Sequence, residues 1–226
     1  MGHDPMTPDD NRIVDVGFDE KHILLHMADG RVLATPISGY IRVDKATPEQ
    51  RRGWVLTEDG RGVNWPELWA PSTDGMLSVW AIEQDALYEH ALARLQQAHR
   101  DFSAVPADER DLVALWRMEA DINNGGFMQF FCNWGEEICE LAIEALGRVG
   151  AHGVQQCLKD MLGVVAHYGE TEEMVSLSDL PAMLTDAERD RLYALDQAFW
   201  KYPEPLGKLV VRHYTPRVTG RLSRVD

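Results

Sequence analysis

The sequence predicts an α+β protein in which a small β-rich N-terminal domain is followed by an all-helical C-terminal domain. Three observations support this fold class. Short runs of Val, Ile and Leu, separated by Asp-Gly turns, fill residues 12–69. Apolar residues in most of the remaining chain instead recur with the period of an α-helix. Between these regions, Pro66, Pro71 and Gly75 interrupt both patterns, so the domain boundary is predicted near residues 72–82.

The N-terminal domain, residues 12–78, is predicted to contain β-hairpins and one short helix. Thr47 followed by Pro48 and Gln50 is typical of a helix start, because the Thr and Gln side chains can form a capping box and Pro is preferred at the first helical position. The predicted strands are residues 12–18, 21–27, 31–35, 54–57 and 62–65, with hairpin turns at Asp29-Gly30 and Asp59-Gly60. Residues 1–11 are expected to be disordered.

The C-terminal domain, residues 82–214, is predicted to be helical apart from an acidic loop or short turn at residues 170–184. The Asn-Asn-Gly-Gly sequence at residues 123–126 is expected to stop a helix, since Gly adopts a positive φ without strain and Asn caps helix ends. The predicted helices are residues 83–102, 108–122, 127–133, 136–149, 153–167, 186–200 and 204–214, with Thr185 as the N-cap of the sixth. A basic tail, residues 215–226, follows.

The charge of the chain disfavours two classes of partner. Its 226 residues include 37 Asp and Glu against 22 Lys and Arg, which gives a net charge of −15. Residues 81–200 carry 22 acidic against 8 basic side chains, a net charge of −14. A field of this sign repels nucleic acids and anionic membranes and attracts basic protein surfaces. We therefore expect no direct binding of nucleic acid and no membrane association.

The cysteine count and the apolar runs indicate a cytoplasmic protein. Cys132, Cys139 and Cys157 are too few for a disulfide scaffold in a chain of this length and are expected to be free, buried thiols. No apolar run approaches the roughly 20 residues of a membrane span. The first residues also lack the charged and apolar regions of a signal peptide.

Motifs for catalysis and cofactor binding do not occur in the sequence. The chain has no G-x-S-x-G nucleophile elbow, no phosphate-binding glycine loop and no dinucleotide fingerprint. His22 and His26 share a strand face, and Cys132 and Cys139 lie seven residues apart, but no CxxC, HExxH or similarly tight ligand spacing is present. We therefore predict no enzymatic activity, no cofactor and no metal site.

Residues 116–133, WRMEADINNGGFMQFFCN, resemble the signature of the C-terminal domain of the DNA-mimic protein family. Residues 143–151 and Leu195-Asp196 with Phe199 are shorter matches, so that the resemblance covers residues 82–214. It implies an all-helical, usually dimeric domain, whose founding member imitates the DNA backbone with acidic side chains and so occupies a DNA-binding protein. The signature residues are Glu119, Asn123, Asn124, Gly125, Gly126, Phe127, Gln129 and Asn133.

The signature residues have two interpretations, a polar ligand pocket between helices or a structural turn. We favour the turn, because a helix stop requires Asn and Gly in any case. Gln129, Asn133 and a partly buried Glu119 are then expected to lie close to the turn and to satisfy its amide groups. Glu119 would act there as a polar anchor and not as a general acid.

The N-terminal domain resembles a second family, a small bacterial domain of unknown function that is often found among regulatory and toxin–antitoxin-like proteins. This association implies no particular mechanism. The matching residues are Asp29-Gly30-Arg31, Pro36, Tyr40, Ala46-Thr47, Trp54, Gly60 and Val63-Asn64-Trp65-Pro66.

Four glutamates form an acidic stripe in the predicted helix 136–149. Glu136, Glu140 and Glu144 recur every four residues and share one helical face, with Glu137 beside them. Their Cβ atoms are expected to lie about 5–6 Å apart, comparable with the spacing of phosphates along one DNA strand. A plain solvated helix face is the alternative, since the helix dipole favours anions in the first turn and Glu144 can pair with Arg148.

Charge, resemblance and stripe together predict a non-enzymatic, homodimeric binding protein that occupies a basic DNA-binding protein as a DNA mimic. The alternative is an antitoxin or immunity-type protein that neutralises a toxin by direct occlusion, with specificity from shape and apolar anchors. The residues predicted to bind the partner are Glu136, Glu137, Glu140 and Glu144, with Glu170, Glu172 and Glu173 as a second patch.

Overall fold

The computed structural model describes residues 11–170 and 176–222, except for the side chains of residues 169, 170 and 219–222. Two compact units make up the chain, Met1–Glu83 and Gln84–Asp226. The predicted fold class is confirmed, because the strands all lie in the first unit and the second is mostly helical. The disorder expected of residues 1–11 falls mainly on residues 1–10, which lie outside the described residues. Asn11 is buried, and its Nδ2 donates to Glu83 Oε2 at 3.3 Å.

The N-terminal unit contains two antiparallel three-stranded sheets. Four of their six strands pair across the predicted Asp-Gly turns, which confirms both hairpins. The first sheet has the order β1 (Ile13–Phe18), β2 (His22–Met27) and β3 (Val32–Pro36), and the second has the order β4 (Val55–Leu56), β5 (Gly62–Asn64) and β6 (Leu77–Ser78). Strand β6 was not predicted, since two residues are too few to show an alternating pattern.

Short helices connect the two sheets. They are the 3-10 helix Ile37–Gly39, α1 (Ile41–Asp44) and α2 (Pro48–Arg52). The predicted start of α2 is confirmed, because the Gln50 amide N–H donates to Thr47 Oγ1 and the Thr47 amide N–H donates to Gln50 Oε1. Trp65 is fully buried in the core of this unit, and its indole N–H donates to the carbonyl of Arg51 at 2.9 Å.

Helices account for most of the C-terminal unit, as predicted. The division between the two units falls within the first of these helices, at Glu83–Gln84. The helices are α3 (Val79–Gln97), α4 (Ala107–Val149), α5 (His152–Val165), α6 (Leu180–Met183), α7 (Asp186–Phe199) and α8 (Leu206–Leu222), with 3-10 turns at Phe102–Ala104, Ala166–Glu170 and Leu177–Asp179. Helix α4 is central, since it packs against α5, α7 and α8.

The predicted boundaries of three elements in this unit are wrong. The predicted helix 83–102 is α3, which begins at Val79 and ends at Gln97. Helix α8 continues past residue 214 through Pro216, because Val210, Tyr214 and Val218 form a buried stripe that extends the helix. The predicted acidic loop or short turn at residues 170–184 contains the 3-10 turn Leu177–Asp179, which begins with a capping box at Ser176, and α6 directly after it. Residues 171–175 of that loop lie outside the described residues.

Glycines divide α4 into three helical segments, residues 107–124, 127–134 and 136–149. Gly126 (φ 82°, ψ −179°) and Gly135 (φ 73°, ψ −179°) adopt a backbone conformation that is essentially restricted to glycine. The predicted helix stop at residues 123–126 is therefore confirmed. The capping residue was predicted wrongly, because the Phe127 amide N–H donates to Asp196 Oδ1 of α7 at 2.8 Å and not to an asparagine.

Candidate functional site: the acidic stripe

The acidic stripe lies on the solvent face of the third segment of α4. Glu136, Glu137, Glu140 and Glu144 are all exposed. The opposite face of the same segment is buried against the rest of the unit through Cys139, Ala142, Ala145, Leu146 and Val149. Burial of one face fixes the orientation of the other, so the stripe is presented on a well-packed helix.

The stripe is neutralised at one end only. Glu144 Oε2 accepts a hydrogen bond from Arg148 Nη2 at 2.7 Å, the pair that the four-residue spacing allowed. Among the residues that the structure describes, the side chains of Glu136, Glu137 and Glu140 form no hydrogen bond or ion pair. The stripe therefore offers three unpaired carboxylates in a row.

The buried carboxylate of Asp111 binds the guanidinium of Arg148. Asp111 is 3% exposed, and its Oδ2 accepts from Arg148 Nη1 at 2.7 Å and from the Tyr214 hydroxyl at 2.9 Å. Burial raises the pKa of both Asp111 and Tyr214 above their ordinary values. This network links the first segment of α4, the stripe and α8, and the contacts of Asp111 with Arg148 and Tyr214 were not predicted.

The cysteines are free thiols, as predicted, but the predicted burial holds only for Cys139, since Cys132 and Cys157 are partly exposed. Cys139 is fully buried on the inner face of the stripe helix, and burial together with the charges of Glu136 and Glu140 raises its pKa to about 12. Cys132 is partly buried, and its Sγ donates to the carbonyl of Leu177 at 3.2 Å.

An apolar cavity of about 190 Å³ adjoins the stripe at Glu136. Because Glu136 is exposed and also lines the cavity, the cavity reaches the surface beside this carboxylate. The other lining residues are Phe131, Leu162, Val165, Ala166, Tyr168, Leu177 and Leu180. The sequence did not predict this cavity, since its walls come from α4, α5, α6 and the 3-10 turns between α5 and α6.

The predicted second acidic patch has no described side chains. Glu170 is the last residue of the 3-10 turn Ala166–Glu170, and its side chain lies outside the described residues. Glu172 and Glu173 lie outside them entirely. Their role in binding stays a prediction.

Two of the polar signature residues, Gln129 and Asn133, bond to Asp121, which was not predicted as a site residue. Asp121 Oδ1 accepts from Gln129 Nε2 at 2.9 Å and from Asn133 Nδ2 at 3.1 Å, and its Oδ2 accepts from Trp134 Nε1 at 2.6 Å. Asn124 Nδ2 donates to Gln129 Oε1 at 3.0 Å. These bonds join the first two segments of α4 across the glycine break, so the side chains serve the fold of the turn.

Three further signature residues contact α7 or the segment that follows it. Asn123 Oδ1 accepts from the Tyr202 hydroxyl at 3.3 Å. Phe127 is fully buried, with its ring 5.8 Å from that of Phe199 in an edge-to-face arrangement. Gly126 lies against Asp196, where a Cβ atom would come within 2.5 Å of the carboxylate.

The expected position of Glu119 beside the turn is wrong. Its Oε2 instead accepts from Gln84 Nε2 at 2.7 Å and from the Tyr88 hydroxyl at 2.5 Å, both on α3. Residues 119 and 121 differ by about 200° around a helix, so only Asp121 can face the turn. Burial raises the pKa of Glu119 to about 7, and the nearby Asp85 adds to the increase.

Glu119 should make the stability of the C-terminal unit depend on pH. A raised pKa means that the folded protein binds the proton more tightly than the unfolded chain, so this stabilisation is complete below the ordinary pKa of 4.5 and is lost as the pH rises through about 7. We expect the Tm of the wild type to fall relative to that of Glu119→Gln between about pH 5 and about pH 8. Calorimetry at a series of pH values measures this, with the exposed Glu137→Gln as the control for loss of a charge. A Tm difference that stays constant over this range would contradict the prediction.

Two further observations concern metals and membranes. Within residues 11–170 and 176–222, no group of three or more His, Cys, Asp or Glu side chains is arranged to hold a metal ion. Across the same residues, every helix is too short or too polar to span a bilayer.

Two family models match the chain, one in each part. The family model described as DMP19-like protein matches residues 103–215, half of the chain. A model described as protein of unknown function (DUF2442) matches residues 13–70. Searches of the curated proteins and of the solved structures found no match. Both resemblances predicted from the sequence are thus confirmed, and the chain belongs to the DMP19-like protein family.

Proposed function

We propose that this chain is a non-enzymatic, cytoplasmic binding protein that occupies a basic DNA-binding protein in place of DNA. The observation that carries the proposal is the row of three exposed, unpaired carboxylates on the packed third segment of α4. Membership of the DMP19-like family is consistent with this role. Dimerisation through the helical unit stays a prediction.

The geometry of the stripe favours a partner that normally binds phosphates. Glu136 and Glu140 are one helical turn apart, with Cβ atoms about 5–6 Å from each other. Like charges at this spacing destabilise a helix by about 0.2–0.5 kcal/mol per pair, and a cationic partner would remove this repulsion. Lys and Arg side chains that neutralise DNA phosphates can accept carboxylates at similar intervals.

A stripe variant tests the proposal. Glu136, Glu137 and Glu140 are all changed to Gln, and immobilised protein is used to capture partners from native lysate at low and at high salt. We expect the wild type to capture a basic DNA-binding protein that salt releases and added DNA displaces, because exposed charges are screened within about 8–10 Å near physiological salt. The stripe variant should retain about a tenth or less of this capture, since three charge contacts are lost.

A matched variant separates local charge from net charge. Changing Glu20, Glu58 and Glu67 to Gln removes the same number of exposed carboxylates from the N-terminal unit. This control should capture the partner as the wild type does. Undiminished capture by the stripe variant would refute the mimic proposal. A single partner that high salt does not release would instead indicate occlusion of a toxin, since an interface with a desolvated apolar centre resists screening.

A further inference from the structure

We propose that the cavity beside Glu136 receives one apolar side chain of the basic partner, next to a Lys or Arg that pairs with the stripe. This inference rests on the proposed function and specifies its partner: a positively charged surface segment that carries a central Leu, Ile, Met or Phe. The stripe would then supply attraction, and the cavity would supply selectivity.

The cavity has the size and the lining that such an anchor requires. Its volume is about 190 Å³, and seven of its eight lining residues are Phe, Leu, Val, Ala or Tyr. A dry cavity of about 150 Å³ in another protein binds benzene, so this volume accommodates one branched or aromatic side chain. Leu162 and Leu177 are partly exposed, and burying them under an anchor would stabilise the complex.

Hydrogen bonds hold two walls of the cavity in place. The Cys132 thiol donates to the Leu177 carbonyl at 3.2 Å and ties the 3-10 turn to α4. The Tyr168 hydroxyl donates to the Met183 carbonyl at 3.1 Å and to Glu188 Oε2 at 2.7 Å. A preformed pocket gives up less conformational entropy on binding than one that must be assembled.

Charge complementarity selects a basic partner for this cavity. Glu136 lines the cavity and also belongs to the acidic stripe, so a side chain that enters beside it is flanked by exposed carboxylates. An apolar segment with acidic neighbours would be repelled there, whereas Lys or Arg neighbours would pair with Glu136 and Glu140. Exposed charges mainly accelerate association, while a few side chains in well-packed, desolvated pockets dominate the binding energy of an interface.

Two synthetic peptides of equal charge separate the anchor from the charges. One is acetyl-Lys-Arg-Leu-Arg-Lys-amide, and the other has Ala in place of the central Leu. Affinities for the full-length wild-type chain are measured by NMR titration at about 50 mM and about 500 mM salt. We expect the Leu peptide to bind about tenfold more tightly at each salt concentration, because its extra apolar surface is buried in the cavity. The methyl resonances of Leu162, Leu177 and Leu180 should shift with the Leu peptide only.

Two Ala→Leu substitutions, one inside the cavity and one outside it, complete the experiment. Ala166 is exposed and lines the cavity, so Ala166→Leu should fill it and remove the preference for the Leu peptide. Ala120 is exposed on α4 and does not line the cavity, so Ala120→Leu should leave the preference unchanged.

Failure of this inference can be told apart from failure of the proposed function. Equal binding of both peptides to the wild type would overturn the inference, and this comparison needs no variant to fold. If both peptides still bind more weakly to the stripe variant, the proposed function survives. If removal of the stripe charges leaves both affinities and their salt dependence unchanged, the proposed function fails as well.

Discussion

Replacing Gly126 with alanine should lower the free energy of unfolding of the C-terminal unit by about 2–6 kcal/mol. Two effects add in this estimate. A non-glycine residue at φ 82° and ψ −179° is strained by about 1–3 kcal/mol. The new Cβ would also lie 2.5 Å from Asp196 Oδ2, which displaces the carboxylate from the Phe127 amide and leaves a half-buried N–H group unpaired at a cost of about 1–3 kcal/mol.

Gly135 offers a matched control for the strain alone. It has nearly the same backbone angles, but the nearest atom to its Cβ position is Leu177 Cδ1 at 3.5 Å, an ordinary contact. Gly135→Ala should therefore cost only about 1–3 kcal/mol. Urea unfolding followed by far-UV circular dichroism measures both variants. Equal midpoints for Gly126→Ala and Gly135→Ala would show that the contact with Asp196 contributes nothing.

Replacing Asp111 with alanine should destabilise the same unit by about 2–4 kcal/mol, because it leaves the buried Tyr214 hydroxyl without its acceptor and Arg148 without its buried partner. Arg148 is 42% exposed and regains water, which keeps the loss below that of a fully buried ion pair. The expected readout is a lower urea midpoint at an unchanged m value.

A double-mutant cycle measures how much of this destabilisation comes from the hydrogen bond between Tyr214 and Asp111. Tyr214→Phe alone removes the hydroxyl and should cost about 1 kcal/mol. In the Asp111→Ala background the same change should cost nothing or restore some stability, since the unpaired hydroxyl is then absent. Strictly additive losses would mean that Asp111 and Tyr214 do not stabilise each other.

Features encoded by neighbouring residues were predictable from the sequence. The capping boxes at Thr47 and Thr185 each need only four consecutive residues, and both occur as expected. The breaks around Gly126 and Gly135 follow from the conformational freedom of glycine. The exposure of the acidic stripe follows from the helical period, because the apolar positions between the glutamates face inward.

Features that depend on distant residues were not predictable. The carboxylate of Asp196 accepts from the Phe127 amide although the two residues are 69 positions apart in the sequence. The residues around Asn123 give no indication that Asp196, and not an asparagine, caps this helix start. Glu119 was assigned to the wrong neighbour because the position of α3 beside it is a tertiary property. The cavity at Glu136 likewise requires the packing of several elements, and its lining residues appear in the sequence only as ordinary core positions.

The burial of Cys139 beneath the stripe has a consequence for chemical reactivity. The thiolate is the nucleophile that attacks alkylating reagents, and Cys139 is fully buried with a pKa of about 12, so in the folded protein its thiol is protonated and out of reach of a reagent. Modification of Cys139 therefore depends on transient opening of the helix that carries the carboxylates. Its rate of alkylation would report the local opening free energy of that helix, and a partner clamped over the stripe would slow it.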